Sequence, residues 1–220
     1  MALTETLENV RVLTHSAIRI QSENGTVVYA DPYDLVEEPH DADVVLITHG
    51  HYDHLSPDDY ARVAKPETVV VAPASLKEEV AALNAAEIVL LAAGESAEVC
   101  GIKIEAVSAY NVEPERLQFH PKENAWVGYI LMIDGATYYI AGDTDQNEDT
   151  KKVRCDVALI PIGGTYTMDA RQAAAFINNM KPRFVVPTHY GTAVGTKEDV
   201  EVFEPLVNDG ITVVRKMEWH

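Results

Sequence analysis

The chain reads as an α/β protein: a four-layer αββα sandwich of two similar halves. Two hairpin signals, Asn24-Gly25 and Asp134-Gly135, stand at the start and the middle of its 220 residues. Short, almost wholly apolar runs follow each hairpin, as expected of strands covered on both faces. Capped helical segments alternate with those runs, so the sheets are predicted to pack face to face with helices outside. Residues 1–220 are expected to form a single domain, since a chain of this length can bury one large core.

Val10 to Ile20 alternates and predicts one strand, with Thr26 to Ala30 as its hairpin partner. Val44 to Ile47 is apolar throughout and predicts a central strand. Ser56-Pro57-Asp58-Asp59 supplies a cap, a first-turn proline and acids, which predicts a helix to about Ala64. Thr68 to Ala72 predicts a strand, Ser75-Leu76-Lys77-Glu78 a capping box opening a helix to about Ala85, and Glu87 to Leu91 a strand again. Val99 to Ser108 predicts two strands broken at Gly101, and Tyr110 to Ala125 then loses all periodicity, as a functional or mobile loop would. Trp126 to Ile133 and Thr137 to Ala141 form the second hairpin. Val157 to Pro161 and Arg183 to Pro187 predict strands; between them Asp169 and Gln172 box a helix to about Met180. Thr196 is expected to cap a helix to about Val207, and Ile211 to Arg215 to close the chain as a strand.

Seventeen basic against thirty-five acidic residues give a formal charge of -18, which opposes broad contact with a phosphate backbone and favours a small-molecule substrate over nucleic acid. Cys100 and Cys155 are far apart and outside any metal-like pattern, so buried free thiols are expected. Met1 to Val10 has no positive-then-apolar order and no apolar run reaches a membrane-spanning length; a cytoplasmic protein, with a homo-oligomer open, is the expectation.

Chemistry concentrates in Thr48-His49-Gly50-His51-Tyr52-Asp53-His54, directly after the central strand. Alternate residues share one face at a strand end, so His49 and His51 can chelate one ion, while Asp53 and His54 continue round the bend toward a second. Two distant strand ends add to them. Asp143, behind Gly142, either bridges two cations or caps a turn; His189, behind Val185-Val186-Pro187, is either a ligand or a core histidine.

The His49-x-His51-x-Asp53-His54 motif, followed by Gly142-Asp143 and the late His189, resembles the metallo-β-lactamase superfamily of metal-dependent hydrolases along essentially the whole chain. Ala109-Tyr110-Asn111, Phe119-His120-Pro121-Lys122, Gly142-Asp143-Thr144-Asp145, Gly163-Gly164-Thr165 and Pro187-Thr188-His189-Tyr190 are similar to the branch that contains ascorbate-6-phosphate lactonase. The resemblance implies that His49 and His51 bind a first metal, that Asp53, His54 and His189 bind a second, and that Asp143 bridges both. A further histidine common in the superfamily is absent after Ser108. Asn111 stands in its approximate place as a ligand or substrate contact, and His120 could swing in from the long loop, so a weakened first site is expected.

His15 and Asp31 are candidates to orient ligand imidazoles through their other nitrogen, against ordinary hydrogen-bonding roles. Gly163, Gly164 and Thr165 precede a helix and are either an anion-binding turn or only a tight turn; Lys122, Arg116 and Arg171 are candidate anion partners. The chemistry implied is attack by a metal-bound hydroxide on a small ester, lactone or phosphorylated substrate. Asp53 would shuttle the proton, and His120 or Lys122 would help the leaving group. One or two divalent ions are expected, zinc first, with manganese, iron or nickel also compatible with such ligands. A phosphodiesterase or nuclease of the same fold is the alternative, and a di-iron redox protein a more distant one.

Overall fold

The computed structural model describes residues 7–220; residues 1–6, on which most of the leader reading rests, lie outside them. The first sheet runs in the order β1 (Val10–Thr14), β2 (Ala17–Gln21), β3 (Val27–Ala30), β4 (Ala42–Leu46), β5 (Ala64–Pro73), β6 (Glu87–Leu91). Its first three strands are antiparallel and the rest pair in parallel. The second sheet repeats the plan: β7 (Ser96–Val99), β8 (Ile102–Ser108), β9 (Val127–Ile133) and β10 (Ala136–Ile140) are antiparallel, then β11 (Val157–Pro161), β12 (Phe184–Thr188) and β13 (Thr212–Val213) add in parallel. The two similar halves are therefore real, each an antiparallel meander leading into parallel strands.

Period-two burial decides which face meets which. Val10, Val12, Ile18, Ile20, Val28, Val44 and Leu46 share one core with the second sheet. The alternate residues Tyr29, Val45, Ile47 and Val70 pack on the other face against Tyr60 and Val63 of α1 (Pro57–Val63) and Val80 of α2 (Lys77–Val80). Helix α3 (Ala170–Met180) buries Ala173, Phe176, Ile177 and Met180 in the shared core, and α4 (Asp199–Phe203) adds Val200 and Phe203.

The sequence expectations fail at four places, each for a local reason, and the closing strand expected over Ile211 to Arg215 forms only at Thr212–Val213. Val10 to Ile20 is two strands, folded over His15-Ser16 with Thr14 paired to Ala17. The turn carries no glycine or asparagine and is buried, so it leaves no polar break in the pattern. The helix expected from Ser75 to Ala85 shrinks to α2 behind a 3₁₀ turn, Ala74–Leu76, because β5 runs on to Pro73 and Ser75 makes no side-chain cap. Thr196 likewise caps nothing with its side chain; the Asp199 carboxylate accepts from the Thr196 amide, and α4 gives way to a 3₁₀ turn at Pro205, which has no N–H to continue the ladder. Cys100 and Cys155 are free, but Cys100 is exposed in the β7–β8 turn and Cys155 only half-buried. The Ser56 cap and the Asp169–Gln172 capping box form where they are expected. Among the described residues no helix is long and apolar enough to cross a membrane.

Candidate metal centre

Strand β4 of the first sheet and strands β10 and β12 of the second end on one rim, and the polar side chains that follow them converge there. Asp31, just after β3, accepts from the Thr48 amide (2.8 Å) and from Thr48 Oγ1 (2.6 Å), which fixes the backbone that carries His49. Gly142 sits at φ 62°, with its Cα side against Thr48, so that Asp143 turns in beside His49; a side chain at Gly142 would meet Thr48 Cβ at 2.9 Å. His189 is tied to the first hairpin by its amide, which donates to the His15 carbonyl at 2.8 Å. His15, Asp31 and His189 all hold positive φ (48°, 46° and 55°), so three non-glycine residues with uncommon backbone geometry meet at this rim.

Three ligand-capable groups result among the described residues, each with its donor atoms within 4.8 Å of one another: His49, His51 and His120; His15, Asp53, His54 and His189; and Asp31, His49 and His54, which joins the first two. In the first, His49 Nε2 and His51 Nδ1 face each other at 3.0 Å. The Asp143 carboxylate lies between the groups, 3.2 Å from His120 Nε2, 3.1 Å from His189 Nε2, 3.4 Å from His54 Nε2 and 4.0 Å from His49 Nε2. Four buried atoms turned into this space, His54 Nε2, His120 Nε2, His189 Nε2 and Asp143 Oδ1, have no hydrogen-bond partner. Each such atom costs about 1–3 kcal/mol, and cations coordinated here would satisfy all four. The donor set fits divalent ions.

Orienting contacts stand behind both of the first two groups, Thr48 Oγ1 lying 3.0 Å from His49 Nδ1 in the first. Asp31 Oδ2 is 2.7 Å from His54 Nδ1, which turns His54 Nε2 inward. His15 has both nitrogens engaged, Nε2 3.1 Å from Asp53 Oδ2 and Nδ1 2.9 Å from Thr192 Oγ1, so it aligns Asp53 and leaves no free nitrogen for an ion. Asp31→Ala should therefore lower metal affinity by about 10- to 100-fold. Competition with a chromogenic chelator measures it, and an unchanged affinity would remove Asp31 from this role.

Burial pushes the His49 and His51 imidazoles below their ordinary value, which favours the neutral form a metal needs. Burial also opposes ionisation of Asp143, yet His189 and His54 hold it well below the usual carboxylate range. At Asp53 burial is likewise outweighed, by the His15 hydrogen bond and the nearby His54, and its carboxyl falls to about 2. Burial works against His54 protonation, but Asp143, Asp31 and Asp53 raise it to about 9. The signs give a pH window for the metal-stripped protein. Asp53 adds stability above its unfolded value of roughly 4, lost as pH falls toward the folded one; His54 adds stability below roughly 6.5, lost as pH rises through the folded one. The His15, His49 and His51 imidazoles, lowered by burial, remove stability as pH falls below roughly 6.5, so melting temperature should peak near that pH and fall on both sides. Asp53→Asn should flatten the acid limb below roughly pH 4 and His54→Gln the alkaline limb; limbs identical to those of the parent would contradict the assignment.

The long loop is not free to swing. Asp145, after β10, accepts from the Val112 and Glu113 amides and from Arg116 Nη2 (2.7 Å), and the Asn111 amide donates to the His120 carbonyl. His120 is thus already buried beside His49 and His51, contrary to the weakened site expected. Asn111 Nδ2 lies 3.1 Å from His120 Nδ1 and donates to the Arg116 and Tyr166 carbonyls, and so braces the loop behind His120. The Gly163 and Gly164 amides are spent on the His189 and Met168 carbonyls, and Asp169 caps the following helix with its own carboxylate, so no anion cradle is left at Gly163, Gly164 and Thr165. Gly163 instead lets the chain approach His189, since a Cβ there would overlap the His189 carbonyl. Lys122 Nζ lies over the Tyr110 ring at 4.8 Å and Arg171 is exposed on α3. Sequence reasoning missed Trp126, whose ring is 4.9 Å from both His49 and His51 and walls the first group. It opens the strand expected from Trp126 to Ile133, where an aromatic residue reads as an ordinary strand residue.

Comparison with known proteins agrees with the geometry. A model of the β-lactamase superfamily domain matches residues 9–189. The chain belongs to the metallo-β-lactamase superfamily. It is 34% identical over 220 residues to a UPF0173 metal-dependent hydrolase of Pyrococcus abyssi, covering 93% of this chain and 94% of that one. A UPF0173 metal-dependent hydrolase of Methanosphaera stadtmanae is 32% identical, with 90% of each chain covered. Among solved structures, a protein of Parabacteroides distasonis described as a metal-dependent hydrolase superposes with a TM-score of 0.81 at 30% identity, over 95% of this chain and 93% of that chain. With these relatives, the superfamily member described here is a metal-dependent hydrolase. CmlA, a diiron β-hydroxylase of Streptomyces venezuelae, shares the fold at 16% identity and a TM-score of 0.75; this chain spans 52% of it.

Proposed function

We propose that the chain acts as one hydrolase domain on a small ester, lactone or phosphorylated molecule. His49, His51 and His120 would hold one divalent ion, Asp53, His54 and His189 a second, and Asp143 would contact both. The observation that carries this is the Asp143 carboxylate set between two groups, with the Nε2 atoms of His54, His120 and His189 beside it and without a hydrogen-bond partner. Bound divalent ions supply Lewis acidity and lower the pKa of a coordinated water toward about 7. Asp53, held ionised and aligned by His15, would orient that water and accept its proton. His120 is better placed as a ligand than as the leaving-group acid expected from sequence, because Asn111 and the loop backbone fix it against His49 and His51. Zinc is the first choice of metal, ahead of manganese, iron and nickel.

The test is turnover after reconstitution with each metal, on lactones and linear esters against cyclic and linear phosphodiesters. Carbonyl substrates are expected to react faster. Faster phosphodiester cleavage would move the function to a phosphodiesterase, and activity on none would overturn the hydrolytic role proposed for these substrates.

A further inference from the structure

Two aromatic pairs and Trp126 lie beside residues of the candidate metal centre. Beside Asp53, the Tyr33 ring lies 6.0 Å from His15 and 5.8 Å edge-on from Tyr52, which is 70% exposed. Beside His120, the Phe119 ring meets Tyr166 edge-on at 4.7 Å, and Tyr166 is 40% exposed with its carbonyl bonded to Asn111. Trp126 closes the side behind His49 and His51. Solvated loop tips do not ordinarily collect exposed rings, and a binding site lined by aromatics with a few convergent polar groups favours a ligand with an apolar body.

Two of the three candidate anion partners, Arg116 and Lys122, are engaged elsewhere, and Arg171 is exposed on α3. Arg116 is paired with Asp145 inside the loop, Lys122 lies over Tyr110, and Lys197 Nζ sits 4.5 Å from the Trp219 ring. The amides at Gly163 and Gly164 are already donors within the fold.

We infer that this centre takes an uncharged substrate bearing an aromatic or similarly flat apolar group, held between the Tyr33–Tyr52 and Phe119–Tyr166 pairs. The inference rests on the hydrolytic metal centre proposed above and narrows its substrate away from phosphorylated molecules. Tyr52 and Tyr166 are the specificity-determining side chains, since both offer an exposed ring edge.

Hydroxamates test it without requiring turnover, because one metal-binding group can carry different bodies. Metal-loaded protein would be titrated by calorimetry with acetohydroxamate, 2-phenylacetohydroxamate and phosphonoacetohydroxamate. The phenyl compound is expected to bind at least tenfold more tightly than acetohydroxamate. In Tyr52→Ala and Tyr166→Ala the ratio of those two dissociation constants should fall below threefold, and Tyr52→Phe and Tyr166→Phe should keep it. Equal binding of the phenyl and methyl compounds, tighter binding of the phosphono compound, or an unaltered ratio in both alanine variants would overturn the inference while leaving the metal centre intact. Failure of all three hydroxamates to bind metal-loaded protein would overturn it together with the metal-centre reading.

Discussion

Asp143→Ala should abolish turnover, by roughly 10³-fold or more, and reduce the metal content from two ions per chain to one or none. A centre of this kind supplies several kcal/mol of charge stabilisation, and about 1.4 kcal/mol is worth tenfold in rate. The carboxylate lies within 4.0 Å of His49, His54, His120 and His189 and is buried. It is thus both a neutralising charge and the geometric link between the two groups, since of these four imidazoles Asp53 pairs only with His54 and His189. Metal content by plasma emission and kcat on the best substrate of the panel measure the two effects. Two retained ions with near-normal kcat would show that Asp143 only caps the turn after Gly142. The more conservative Asp143→Asn guards against a folding defect: it keeps the shape, removes the charge, and should lose metal nearly as completely.

The second large effect belongs to His120. His120→Ala should weaken one of the two ions by more than roughly 100-fold, exceeding the loss expected from an orienting residue alone, while leaving the other at near-parent affinity. That asymmetry follows from geometry: His120 joins His49 and His51, and the Asp53, His54 and His189 group keeps its full set. Stepwise chelator titration resolves the two affinities. Equal weakening of both ions, or of neither, would contradict the assignment. Trp126 provides a second signal, since its ring contacts the His49–His51–His120 group; its emission should respond to filling of that site and lose this response in His120→Ala.

His49 to His54 could be read from sequence because consecutive residues carry the spacing, and a strand end imposes the geometry without help from distant chain. The Ser56 cap and the Asp134-Gly135 turn were legible for the same reason. Asp143 and His189 were less so, since each is a single polar residue behind a strand and depends on which strands the fold sets side by side. His120 was hardest. Its position is determined by Asp145, in the other wall of the loop, through non-local contacts with Val112, Glu113 and Arg116 that leave no periodic trace. The hairpin at His15-Ser16 was hidden because its turn is buried against His189 rather than exposed, so hydrophobic alternation runs through it unbroken. The short helices α2 and α4 were overestimated where capping patterns were read without the strand or proline that cuts them off. Local chemistry marked the ligands on one strand end; tertiary packing decided which distant side chains join them.

Anomalous diffraction from crystals of metal-loaded protein, recorded on either side of the metal absorption edge, tests the two-ion centre most directly. Two peaks are expected on opposite sides of the Asp143 carboxylate, one among His49, His51 and His120 and the other among Asp53, His54 and His189. A single peak, or a pair that leaves His120 or Asp143 uncoordinated, would contradict it.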